Sequence, residues 1–154
     1  MHALTASRAL VLQRRLRAPA SLLGAVAAPS ALRAAWRQVR GNRGCAGGDG
    51  VTLAAFESML DAALDTLARD LLEGRYRPGP LRQAAIPKPD GRTRRLAIPC
   101  IRDRVAQTSA LLCLQPLLDG RQSPHSFAYR PAFGVAQALA AVRAAHAGGY
   151  PWTW

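Results

Sequence analysis

Apolar positions step along this chain with two alternating periods, and the switches between them outline its elements. In residues 30–40, SALRAAWRQVR, Leu32, Trp36 and Val39 share one helical face while Arg33, Arg37 and Arg40 look elsewhere. Ser30 is placed to cap that helix. Leu53, Phe56, Leu60, Leu64, Leu67 and Leu71 then step by threes and fours, with Glu57, Asp61 and Asp65 on the wet side. This predicts a single helix capped by Thr52 and ended by Gly74. Next the period shortens. Residues 81–86 and 95–98 read as short strands around the turn KPDG, since Asp-Gly is a strong reversal signal. Pro87 and Pro89 stiffen the approach to the turn, and Pro99 bounds the second strand. Helical spacing returns over residues 101–118, where Pro116 should kink or end the helix. A loop, DGRQSPHSFAYRPAFG, spans residues 119–134. Val135, Leu139 and Val142 mark a last helix, stopped by Gly148-Gly149, and the alternation of Tyr150, Trp152 and Trp154 reads as the opening of a strand. The fold class is therefore α+β, with helices around a basic β-hairpin, and it reads as truncated at an incipient strand.

The flanks of this pattern are less regular. Residues 1–29 form a basic Ala-, Arg- and Leu-rich arm, compatible with disorder or with packing on something else, and residues 30–154 form the domain proper. The first 48 residues contain no acid, and residues 1–17 mimic both an organellar presequence and a basic amphipathic arm. The segment GNRGCAGGDG, residues 41–50, has five glycines and reads as a loop; it has neither a Walker nor a GxGxxG pattern. The apolar run at residues 21–32 is too short, and too interrupted by Pro29, to span a membrane.

Charge sharpens the picture. The 154 residues carry a formal charge of +12, with 21 Lys and Arg against nine Asp and Glu. A polyanion would relieve that self-repulsion through neutralisation and counterion release. The bland reading is solubility and a composition rich in Arg and Ala. Lys88 is the sole lysine, and it sits at the hairpin tip beside Arg92, Arg94 and Arg95. A lysine there suits a compact phosphate contact and the arginines a forked one; a merely solvated turn is the alternative. Arg102 and Arg104 extend the patch, with Asp103 placed to pair with one of them. In SFAYRP, aromatics interleaved with Arg130 can stack on a base or sugar, or can simply pin the loop onto helices.

Catalytic signals are missing. The acids are scattered singly, with no DxD, HExxH or GxSxG pattern and no credible Cys-His couple, so neither a catalytic nor a metal-binding residue can be named. Cys45, Cys100 and Cys113 form no disulfide framework or zinc pattern. Cys100 and Cys113 read as apolar fillers, and a reducing, cytoplasmic compartment is the default.

Taken together, LRAAWRQVRGNRGCAGGDGVT, then LLEGRYRPGPLRQAAIPKPDGRTRRLAIPCIRDRVAQ, then SPHSFAYRPAFG and GGYPWTW resemble, in nearly collinear order over about four-fifths of the chain, the fingers and the start of the palm of bacterial group II intron-type reverse transcriptases. Relatives fused to or encoded beside CRISPR adaptation genes belong to the same group. The resemblance implies an RNA-directed DNA polymerase, a nucleotidyltransferase, whose right-hand fold closes its fingers hairpin over template and incoming nucleotide. By motif position Lys88 and Arg94 would contact nucleotide or template phosphates, joined by Arg92, Arg95, Arg104 and Arg130. Asp103 would orient Arg104, and Gln107, Ser126 and Phe127 would support the template path. The implied partners are an RNA template, a DNA primer and dNTP, together with intron RNA or CRISPR adaptation proteins, and no membrane. Magnesium is expected in the full-length enzyme and none in this fragment, because the family's metal-binding aspartates would follow Trp154. The family's usual Gly, Phe, Gly and basic residue stand here as Ala128, Tyr129, Ala132 and Phe133, which implies weaker contact at that loop. The alternative is a non-enzymatic RNA-binding or maturase-like module, or an inactive remnant.

Overall fold

A proline opens the best-formed helix. In the computed structural model, which describes residues 21–150, helix α2 runs Pro29–Gly41, after a short α1 at Leu22–Val26. Pro29 occupies the first turn, where its missing N–H costs nothing. The cap is therefore Ala28, with no side-chain bond, and not Ser30, which lies inside the helix. Leu32, Ala35, Trp36 and Val39 are buried, as the spacing of Leu32, Trp36 and Val39 implied. Ser21 caps α1 by accepting from the Gly24 N–H, and Val26 and Ala27 are buried.

Where one helix was expected, two form. Helix α3, Leu53–Ser58, is capped by Thr52, whose hydroxyl accepts from the Ala55 N–H at 3.1 Å. Helix α4 runs Leu60–Leu72. The break falls at Met59, with φ −118° and ψ 22°. Just before it, Ser58 donates its hydroxyl to the Ala55 carbonyl at 2.8 Å, a back-bond that bends helices. Gly74 does end α4: its φ of +68° turns the chain so that the Arg75 and Tyr76 N–H groups both return to the Asp70 carbonyl at 2.9 Å.

Strands β1, Arg82–Pro87, and β2, Thr93–Ile98, pair antiparallel from Arg82↔Ile98 to Pro87↔Thr93. β1 is shifted one residue toward the turn from the expected 81–86, and β2 begins two residues earlier than expected, because the ladder extends into the turn: the Lys88 N–H donates to the Arg92 carbonyl at 2.7 Å. Helix α5 follows, Ile101–Asp119, and passes through Pro116 without ending there. The proline forfeits one bond near the end of a 19-residue helix, and three further residues complete the last turn. Helix α6 is Val135–Ala147. Tyr150 lies in no strand, and the rest of the expected strand, residues 151–154, falls outside the described residues.

The chain divides into two compact units, Met1–Cys113 and Leu114–Trp154. The core of the first gathers Leu32, Trp36 and Val39 from α2, Phe56 from α3, Leu64 and Leu67 from α4, and Ile101, Val105 and Ala106 from α5. The Trp36 and Phe56 rings tilt against each other with centroids 5.1 Å apart. Inside the second, a loop of residues 120–134 leads into α6, on which Val135, Leu139 and Val142 stay exposed. The described residues thus form an α+β arrangement of helices with one small antiparallel hairpin. Among them, no helix is long and apolar enough to cross a membrane.

Candidate nucleic-acid interface

The hairpin tip is built by its turn. Gly91 takes φ +78° and its N–H returns to the Lys88 carbonyl at 3.0 Å. Asp90 accepts from the Arg92 backbone N–H at 3.0 Å and from Nε and Nη2 of the same arginine at 2.9 and 2.7 Å. The Arg92 guanidinium beside Asp90, with that backbone N–H, holds the carboxyl below the usual carboxylate range. Arg92 is thereby neutralised at the tip. Among the described residues, Lys88, Arg94 and Arg95 have no acidic partner, and all three are exposed.

Strand alternation sorts these cations. Arg94 lies opposite Ile86, on the face that also carries Ala84, Leu96 and Ile98. Those last three are half-buried, so the base of this face packs inward while its far end hangs free. Because Lys88 pairs with Arg92 at the next rung, Lys88 continues the same face. Arg95 lies opposite Ala85, on the other face. Register thus assigns Lys88 and Arg94 to one face and Arg95 to the other.

The α5 residues sort differently from the sequence reading. Asp103 does not orient Arg104: neighbours in a helix diverge by about 100°, and Asp103 is buried with both carboxylate oxygens engaged elsewhere. Its Oδ1 accepts from the Tyr76 hydroxyl at 2.7 Å and its Oδ2 from the Gly79 N–H at 2.9 Å. Burial, and then the bond to Asp103, push the Tyr76 phenol up to about 12. Arg102 stacks over the Tyr76 ring at 5.3 Å and pairs with Asp70. This knot ties the segment after α4 to the first turn of α5. Arg104 instead turns to the glycine-rich loop, donating Nη2 to the Cys45 carbonyl at 2.5 Å. Its Nε is buried without a partner among the described residues. Arg104 and Gln107 line a cleft of about 190 Å³ with Val39, Asn42 and Thr108.

Close approach explains the glycines of that loop. A Cβ on Gly47 would stand 2.5 Å from the Cys100 backbone, and one on Gly48 would stand 2.4 Å from the Pro80 carbonyl oxygen. Cys100 fills this junction, donating to the Pro80 carbonyl at 3.3 Å, and burial pushes its thiol up. Burial does the same for Cys113.

In the second unit Arg130 is turned inward and its side chain is only 8% exposed. Nε meets Asp119 Oδ1 at 2.8 Å, Nη1 meets the Ser123 and Ser126 carbonyls at 3.0 Å, and Nη2 meets the Asp119 carbonyl at 3.3 Å. Its guanidinium lies 4.1 Å over Phe133, which in turn tilts against Phe127 at 6.2 Å. Arg130 and Phe127 therefore hold the loop itself, and the Ser126 hydroxyl is 3.4 Å from the Gln122 side-chain oxygen. Sequence reasoning missed Tyr76, Asn42 and Thr108, whose roles follow from contacts between distant segments and leave no local signal.

The geometry defines a class: an α+β protein that displays unpaired cations on a stiff hairpin, with no group of three or more metal-ligating His, Cys, Asp or Glu side chains among the described residues. No known protein-family model matches the chain. Over 97 residues it is 35% identical to Protein YkfC of Escherichia coli, covering 63% of this chain and 26% of that protein. Over 94 residues it is 31% identical to the Saccharomyces cerevisiae protein named "Putative COX1/OXI3 intron 1 protein", covering 61% of this chain and 11% of that one. The chain thus spans only a minor part of either relative's length, and through the second it is similar, at low identity, to a protein named for an intron.

Proposed function

We propose that this chain supplies the fingers and the beginning of the palm of a group II intron-type reverse transcriptase, and that it binds the phosphates of template, primer and incoming nucleotide. One observation carries the reading: Lys88 and Arg94 lie on the same face of the hairpin, exposed and without acidic partners among the described residues. A turn locked by Asp90 and two flanking prolines presents them with little entropy left to lose. Likeness to a protein named for an intron supports the same direction.

In the whole polymerase, magnesium would be held by carboxylates and would assist phosphoryl transfer. Asp49, Asp90 and Asp103 do not fit that task. Asp49 accepts from the Val51 N–H, Asp90 is engaged by Arg92, and Asp103 by Tyr76 and Gly79. What these residues do is bind and orient, and binding alone does not accelerate chemistry.

The test is affinity for an RNA–DNA template–primer against salt. Its logarithm should fall with the logarithm of salt between about 50 and 200 mM, and Arg94→Ala should shallow the slope by about 1. The loss should be similar on unrelated sequences, since phosphates carry no base information. An affinity indifferent to salt refutes the interface. In a longer protein carrying this chain and a complete palm, Lys88→Ala should slow single-nucleotide incorporation more than it weakens template binding. The second reading, an RNA-binding or maturase-like module without polymerase activity, draws on the name of the yeast relative. It prevails if that longer protein binds RNA yet extends no primer.

A further inference from the structure

One aromatic in the second unit faces nothing. Tyr129 is 102% exposed, beside a loop whose other aromatics are engaged: Phe127 tilts against Phe133, and Phe133 stacks under Arg130. Its backbone is also strained. Tyr129 takes φ +59° and Ala132 takes φ +63°, the left-handed region that glycine or asparagine enters at least cost. Both strained residues flank Arg130, and the guanidinium's four hydrogen bonds to Asp119, Ser123 and Ser126 fix the path of the loop between them. Folding therefore accounts for the conformation at residue 129 but not for a tyrosine there. A ring wholly in water buries nothing, and glycine, with no Cβ, would remove the strain. Strain of this kind concentrates where a side chain must be presented.

The surroundings indicate what the ring meets. Between residues 114 and 150, Arg121, Arg130 and Arg143 stand against a single acid, Asp119, and Asp119 is engaged by Arg130. Arg121 is exposed in the same loop as Tyr129. A flat, fully exposed ring on a basic loop suits a partner with an apolar face and an attached anion. With a chain charge of +12, that partner is a nucleotide of an unpaired strand, its base on the ring and its phosphate on arginine. We infer that Tyr129 is a stacking platform for an unpaired nucleobase, a role distinct from the phosphate contacts of the hairpin. It rests on the nucleic-acid reading above and adds a base contact to it.

The experiment compares single-stranded oligo(rA) with an abasic strand of equal length, each titrated with the full 154-residue chain by fluorescence anisotropy. Tyr129→Ala should weaken oligo(rA) binding by about 5- to 150-fold, the range expected for one stacked base, and leave the abasic strand unchanged. Tyr129→Trp should keep the affinity. Tyr129→Gly should lose it without lowering the thermal midpoint, because glycine relieves the φ while removing the ring. Quenching of a 2-aminopurine placed in the strand should vanish with the ring. Equal losses on both strands would mean that the ring acts through loop structure, which overturns the inference. So would Tyr129→Ala and Tyr129→Gly binding oligo(rA) like the parent while binding stays salt-dependent, and that result would leave the hairpin reading standing. A parent chain that binds neither strand would end both.

Discussion

Replacing Asp103 by alanine should be among the most damaging single changes in the first unit. The carboxylate is 2% exposed and takes two hydrogen bonds, from the Tyr76 hydroxyl at 2.7 Å and the Gly79 N–H at 2.9 Å. Alanine leaves both half-buried donors without that acceptor. Each stranded donor costs about 1–3 kcal/mol, and hydrogen bonds to a charge sit toward the upper end. The sum is about 3–5 kcal/mol, a large part of the roughly 5–15 kcal/mol that holds a typical domain together. Asparagine keeps one acceptor oxygen and turns an amide toward the other donor, so Asp103→Asn should cost about half as much. Tyr76→Phe removes one of the two donors, so the double variant with Asp103→Ala should be less damaging than the two single changes added together, by about 0.5–3 kcal/mol. Urea unfolding followed by far-UV circular dichroism measures all four, with midpoints shifting at constant slope. An Asp103→Ala variant within about 0.5 kcal/mol of the parent, as at an ordinary surface site, would show that the buried knot does not form. Strict additivity with Tyr76→Phe would show the same for that bond.

Three further outcomes follow from the same contacts. Gly47→Ala should destabilise by about 2 kcal/mol or more, since its Cβ meets the Cys100 backbone at 2.5 Å and backbone cannot swing aside, whereas Gly41→Ala, with nothing within 4 Å, should be neutral or stabilising; thermal melts of the pair compare them directly. Tyr76 has a folded-state pKa raised from 10.0 to about 12, so the unfolded chain loses that proton first; stability is complete below about pH 10 and falls as pH climbs toward 12, and Tyr76→Phe should flatten that stretch of the urea-midpoint profile against pH. Ala132→Gly should stabilise the second unit by about 0.5–1 kcal/mol, because φ +63° suits glycine and the gain outweighs the extra freedom of the unfolded chain; hydrogen exchange across residues 120–134 should slow.

Local chemistry made much of this protein legible from its residues alone. The stripe Leu32, Trp36, Val39 fixes the inward face of α2, because side chains three and four apart must share a side. Thr52 and Gly74 mark helix ends through bonds made within a few residues. Asp-Gly, with prolines around it, sets the hairpin and its turn for the same reason. Even the two helices over residues 53–72 follow the expected stripe; what escaped was the break at Met59, where one serine back-bond bends the helix.

The roles of the charged residues were decided elsewhere. In the sequence Arg92, Arg94, Arg95, Arg102, Arg104 and Arg130 are one kind of residue in one kind of patch. Pairing register put Arg94 on the same face as Lys88 and sent Arg95 to the opposite face. Asp90 took Arg92, Asp70 took Arg102, and Asp119 with Phe133 turned Arg130 inward. Asp103 was drawn across to Tyr76 and Gly79, residues 27 and 24 positions away, leaving Arg104 to the Cys45 carbonyl 59 positions away. Periodicity and turn chemistry act over a few bonds and can be read along the chain. A guanidinium on a long side chain goes to whichever acceptor the fold brings within about 3 Å, and that acceptor has no fixed distance in sequence.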